Sequence, residues 1–264
     1  MDMTWDGVRD TAGPAATTGT PREPWPDWER LAPGVARIRL PAWDCTAGLV
    51  RGEEGALLID AGATVREGSR LRGEVEALLG GERVTHLALT HPHFDHVLGA
   101  AAFAGVEVFG AVGLDTVLGG PAGRDTLYSD AVRHGVDEGE AAQAADMLVA
   151  PAHPVSGEWA LDVGGSTRVL LANVGPGHTG HDLAVLVNVG PDAPAVVFCG
   201  DLVEESGEPQ AGPDAVVSRW PAALDRLLEL GGEDAQYVPG HGSVVNAAFV
   251  RDQRDRLAKR FGVS

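Results

Sequence analysis

A chain of 264 residues with 44% hydrophobic and 22% charged side chains has the composition of a folded globular protein, long enough to bury a full core in one large domain or two small ones. Its 38 acidic residues against 20 basic ones give a net charge of −18 with no basic stripe, which would repel a phosphate backbone and excludes nucleic acid from the expected partners. No apolar run approaches the roughly 18 residues of a bilayer span, so a protein acting away from membranes is expected.

The N-terminus has neither a basic start nor an apolar stretch, and the two cysteines, Cys45 and Cys199, make no disulfide framework; a cytoplasmic protein is the expectation. Residues 1–33 are rich in Ala, Gly, Pro, Thr and Asp, with Trp5, Trp25 and Trp28 as large apolar anchors, and predict a flexible arm ahead of a domain at 34–264. Val35 to Leu40, Thr46 to Val50 and Ala56 to Asp60 read as three short strands. Apolar residues at 71, 75, 78 and 79, closed by Gly80-Gly81, predict an amphipathic helix over Glu67 to Leu79. Val84 to Leu89 is a strand, Val97 to Phe103 a helix and Val106 to Phe109 the next strand, which makes a crossover unit whose ligands gather at the carboxyl ends of its strands. Residues 111–154 have weak periodicity, apart from a helix-like Glu138 to Leu148, and predict a lid over a pocket. Strands at Trp159 to Val163, Arg168 to Val174, Leu183 to Val189 and Ala195 to Cys199 follow. After them come a helix at Trp220 to Leu230, a strand at Gln236 to Val238 and a closing helix at Asn246 to Phe261. Two halves of this kind predict two packed sheets with helices outside.

Chemistry concentrates where the Val84 strand ends. The stretch Thr90-His-Pro-His-Phe-Asp-His96 holds three of the nine histidines in the chain together with a carboxylate, the two ligand types that zinc takes from nitrogen and oxygen donors. On an extended segment His91, His93 and Asp95 point one way, and a turn lets His96 join Asp95. One metal would then take His91 and His93 and a second Asp95 and His96, each still short of ligands. Further donors follow in glycine-bordered loops after apolar strands: His178 in Gly175-Pro-Gly-His-Thr-Gly-His-Asp182, Asp201 in Cys199-Gly-Asp, and His241 in Pro239-Gly-His-Gly242. His86, His134 and His153 match no motif, and Arg219 reads as a surface residue ahead of a substrate-carboxylate holder.

These motifs, together with Leu58-Ile-Asp-Ala-Gly62 before them and all in this order, resemble the metallo-β-lactamase-fold superfamily from about Val35 to Gly242. The resemblance implies an α/β fold, a four-layer αβ/βα sandwich with a two-metal site along one edge. It implies that His91, His93 and His178 bind one metal, that Asp95, His96 and His241 bind the other, and that Asp201 bridges them. Asp60 would orient ligands, and His181, three residues after His178, would do the same or lie on the surface. The cofactors implied are two zinc ions, with iron or manganese as alternatives. Two such ions sharing a water lower its pKa from 15.7 toward about 7, and the resulting hydroxide would attack an ester, thioester, lactone, amide or similar bond of a small molecule. Asp95 would be the catalytic residue that orients the nucleophile and carries its proton.

Departures from better-known branches narrow this expectation. Asp201 stands where one group of true β-lactamases has a cysteine, so β-lactam hydrolysis would be a side activity. Glu204 stands where acyl-homoserine lactonases have a tyrosine, and Leu202 to Gly207 lacks the glycine and arginine of the glyoxalase II type. A second expectation is an oxidoreductase of the sulfur dioxygenase type, which resembles this motif set but holds one iron with two histidines and an aspartate.

Overall fold

The computed structural model describes residues 28–191 and 193–263. It contains two β-sheets. The first has seven strands in sequence order, β1 (Glu29–Ala32), β2 (Val35–Arg39), β3 (Thr46–Arg51), β4 (Ala56–Ile59), β5 (His86–Ala88), β6 (Glu107–Ala111) and β7 (His153–Val155). Pairing is antiparallel up to β4 and parallel from β4 to β7. The second sheet has β8 (Glu158–Asp162), β9 (Arg168–Asn173), β10 (Leu183–Asn188), β11 (Val196–Glu204) and β12 (Gln236–His241), antiparallel except for the β11–β12 pair.

Central strands in both sheets are apolar on both faces because both faces are covered. In β4, Leu57 and Ile59 enter the core between the sheets, while Ala56 and Leu58 enter the core beneath the outer helices. In β10, Leu183, Val185 and Val187 face the other sheet, and Ala184 and Leu186 face the helices. The helix layer over the first sheet is α1 (Val65–Leu78), α2 (Phe94–Val97), α3 (Leu114–Gly119), α4 (Pro121–Arg133) and α5 (Glu138–Asp146); α6 (Trp220–Gly231) and α7 (Ala247–Phe261) cover the second. Helix, sheet, sheet, helix is the four-layer αβ/βα sandwich expected from the sequence.

Three expectations need correction. Of the arm at 1–33, residues 1–27 lie outside the described residues, but Glu29–Ala32 forms β1, an edge strand held by antiparallel pairing to β2. The helix expected over Val97 to Phe103 is instead two short pieces, α2 over Phe94–Val97 and a 3-10 turn over Ala100–Phe103, so Asp95 and His96 sit on a helical turn and the extended alternation ends at His93. Residues 111–154 are less an insertion than part of the layer: Leu114, Leu118, Leu127, Ala131, Ala141 and Ala144 are buried in the same core as β4 and α1.

Candidate metal centre

The first four site residues are aimed by Asp60 and by the start of α2. Asp60 ends β4 with φ 59°, a left-handed conformation that aspartate tolerates better than most residues. There its Oδ1 accepts the Thr90 N–H at 2.8 Å, and its Oδ2 accepts the Thr90 hydroxyl at 2.7 Å and the His96 ring at 2.8 Å. The next segment is locked against α2, since Ala61 N–H donates to the His96 carbonyl and Gly99 N–H to the Gly62 carbonyl, both at 2.8 Å. A Cβ on Gly99 would stand 2.0 Å from the Ala61 carbonyl oxygen, so only glycine permits this approach. The second sheet joins directly: Leu183 N–H donates to the Thr90 carbonyl at 2.8 Å.

From that sheet come three more residues. The loop carrying His178 is closed by buried Asp182, which accepts the Thr179 N–H at 3.1 Å and its hydroxyl at 2.7 Å. His178 then lies against the Trp220 ring, centroids 5.3 Å apart. β11 passes a register irregularity at Gly200 before presenting Asp201, and β12 ends on His241. A Cβ on Gly240 would fall 1.8 Å from Asp201 Oδ1, which makes a side chain there incompatible with the aspartate.

The seven expected ligands meet in one cluster. Donor atoms of His91, His93, His178 and Asp201 lie within 4.8 Å of one another, as do those of His96, Asp201 and His241. Asp201 belongs to both groups. Its Oδ2 is 3.6 Å from His91 Nε2, 3.5 Å from His178 Nε2 and 3.3 Å from His241 Nε2, while its Oδ1 is 3.1 Å from His96 Nε2. Asp95 Oδ2 lies 3.3 Å from His241 Nε2 and 3.8 Å from His96 Nε2.

Every imidazole has its outward nitrogen engaged by an acceptor. His91 Nδ1 donates to the Thr90 hydroxyl at 2.9 Å, His96 Nδ1 to Asp60, His178 Nδ1 to the Gln210 carbonyl at 3.1 Å and His241 Nδ1 to the Trp43 carbonyl at 2.9 Å. His93 is reversed: its Nε2 donates to Asp214 at 3.1 Å and its Nδ1 faces His178 Nε2 at 2.9 Å. In the neutral ring an engaged outward N–H leaves a bare lone pair on the inward nitrogen. Two lone pairs 2.9 Å apart repel unless a proton or a metal cation lies between them. His91 Nε2 and Asp201 Oδ1 are buried without a hydrogen-bond partner, which is costly unless something else satisfies them. Orphaned donors, paired lone pairs and a set of nitrogen and oxygen ligands fit a metal ion.

Electrostatics divide the histidines. Burial pulls the pKa of His91 well below and that of His178 down to about 4, favouring neutral rings. Burial acts the same way on His241 but is outweighed by Asp201 and Asp95, which raise it to about 9. For His96, burial is outweighed by the carboxylates of Asp201, Asp95 and Asp60, which leave its pKa well above the ordinary value. At Asp201 burial is opposed by His241, His96 and His91, and the carboxyl is held well below its usual range.

His181 stands apart from this cluster. Its Nδ1 bonds the Val112 carbonyl at 2.9 Å, so it braces the start of α3 and touches no ligand. His86, His134 and His153 bond Thr85, the Asp130 carbonyl and Glu107, away from the cluster. Glu204 accepts from Ser206 and shapes the turn after β11. Cys199 is core, but Cys45 lies with its sulfur 3.5 Å from His96 Nδ1 and 3.7 Å from Nε2. Sequence reasoning missed Cys45, Asp182, Asp214 and the carbonyls of Trp43 and Gln210 as parts of the site. Next to the Trp43 carbonyl, the Trp43 ring meets Phe94 edge-on at 5.5 Å, and Phe94 stacks on His134 at 5.2 Å.

A four-layer sandwich with such a histidine and aspartate cluster where its two sheets meet defines an α/β protein with a candidate metal-binding site. The chain belongs to the metallo-beta-lactamase superfamily, whose family model matches residues 40–241. Among solved structures it is similar to the metallo-beta-lactamase FIM-1 from Pseudomonas aeruginosa, solved in a mono-zinc form, with 18% identity, 92% of this chain and 99% of that chain covered, and a TM-score of 0.64. At that identity the likeness is one of fold.

Proposed function

We propose that the protein is a metal-dependent hydrolase of a small molecule, with two divalent ions, zinc first among them. His91, His93 and His178 would hold one ion, Asp95, His96 and His241 the other, and Asp201 both. The observation that carries this reading is that five rings each have an acceptor on the outward nitrogen, while the Nε2 atoms of His91, His96, His178 and His241 turn toward a shared aspartate, Asp201, and His93 turns Nδ1 toward His178 Nε2. Ions of this kind, when bound, lower the pKa of water and polarise a carbonyl or phosphoryl oxygen.

The chain's own residues then have distinct tasks. Asp95, buried and placed beside His241, is the carboxylate available to orient a nucleophile and to receive its proton. Thr90 and Asp60 keep His91 and His96 in the tautomers that leave Nε2 bare. Neither a serine nor a thiol nucleophile is required; buried Cys45 has its pKa pushed up by burial, against the thiolate.

The test is elemental analysis joined to a hydrolysis screen over lactones, thioesters, phosphodiesters and a chromogenic β-lactam, with zinc, manganese or iron restored to the metal-free chain. His91→Ala and Asp201→Ala should lose metal and turnover together. Two zinc ions retained in either variant would sink the ligand assignment, and one iron per chain with no hydrolysis would favour the oxidoreductase reading.

A further inference from the structure

The five outward acceptors come from different places, and their distribution is uneven. His91 and His96 are braced by Thr90 and Asp60 at the ends of β5 and β4, and His241 by Trp43 in the loop before β3. His93 and His178 are both braced by one irregular segment, residues 205–219 between β11 and α6. Within it the Gln210 carbonyl accepts from His178 Nδ1 at 3.1 Å, and the Asp214 carboxylate accepts from His93 Nε2 at 3.1 Å. The segment is tied to the His178 loop once more by Val216 N–H to the Gly177 carbonyl at 3.0 Å.

Asp214 is the charged acceptor that this segment offers to a site histidine, and its geometry sets His93 apart. His93 alone turns Nδ1 inward, so its outward atom is Nε2, at the far tip of the ring, and that atom points away from the β4–β5 scaffold. A carboxylate there fixes the tautomer, fixes the ring plane and makes Nδ1 a better donor.

We infer that Asp214 is a positioning residue for the ion held by His91, His93 and His178, and that through it the 205–219 segment is tied to that ion's site. The inference rests on the two-ion reading above. It separates the two ions: Asp214 serves the first and touches no ligand of the second. The side chain is 43% exposed, so its substitution leaves the core intact.

The experiment uses the full chain as Asp214→Asn, Asp214→Ala and Asp214→Glu, with zinc affinities read by competition against a chromophoric chelator. Wild type should bind two ions. In Asp214→Asn and Asp214→Ala one of the two should bind roughly 10- to 100-fold more weakly, as removal of such a ligand-orienting partner typically does. The other should be unchanged, as should the melting temperature of the metal-free chain, and Asp214→Glu should recover part of the loss. Amide exchange in residues 206–219 should slow on zinc addition in wild type and less so in Asp214→Ala. Equal weakening of both ions, or of neither, overturns the inference while leaving the two-ion reading standing. A wild-type chain that binds no zinc overturns the reading itself.

Discussion

Asp60 shows how much a single carboxylate can determine. It accepts three hydrogen bonds, two from Thr90 and one from His96, from a left-handed backbone position with 2% of its surface exposed. Asp60→Asn offers one acceptor oxygen where two were used and turns an amide donor toward groups that are themselves donors. Leaving a buried donor unpaired costs about 1–3 kcal/mol. Thermal melting of the metal-free variant should show that loss, and chelator competition should show metal affinity weakened roughly 10- to 100-fold. Asp60 was legible in the sequence through the resemblance that Leu58-Ile-Asp-Ala-Gly62 carries. Asp214 was not, since it stands 121 residues from His93 in a segment without periodicity. The Trp43 and Gln210 carbonyls were hidden for another reason: a backbone acceptor leaves no mark on residue identity.

Elements were legible to the extent that burial is written as pattern. The apolar runs of β4, β10 and β11 announced strands, whereas α1, expected from Glu67, starts at Val65 because the Thr64 hydroxyl caps it by accepting the Glu67 N–H at 3.0 Å. Thr64→Ala should therefore cost about 1 kcal/mol in chemical unfolding. The start of α2 was misread because Pro92 pushes His91 toward extended backbone, and the same geometry continues only as far as His93, the residue before the first helical turn. The His178 loop carries its own pH dependence. Burial raises the Asp182 carboxyl to about 7, against an unfolded value of about 3.9. The folded state thus holds this proton more firmly: the stabilisation is full below about pH 4 and falls away as pH rises to about 7, a change of roughly 4 kcal/mol. Asp182→Asn, which keeps an acceptor for Thr179, should flatten that part of the stability–pH curve of the metal-free chain. An unchanged slope would show that Asp182 is not its source.

Across the whole molecule, the halves share one core between the sheets, with Leu57, Ile59, Leu171, Val185 and Phe198 among its members. Leu171 is fully buried there, and Leu171→Ala should destabilise by about 2–5 kcal/mol, measurable as a lower urea midpoint. The two-layer architecture followed from sequence because each half repeats strands then helix; the seven-to-five division of strands did not, because β1 and β7 are short edges with weak patterns.

The position of the cluster has a mechanical meaning. His91, His93, Asp95 and His96 hang from the first sheet, and His178, Asp201 and His241 from the second, so an ion bound by both sets is a rivet through the sandwich. Whatever it does for catalysis, such a rivet resists separation of the layers, and ligands that bind only the folded state stabilise it in proportion to their excess over Kd. Heat resistance of this protein should therefore rise with free metal and collapse under chelation, with the sheets parting first at the edge where the rivet sits.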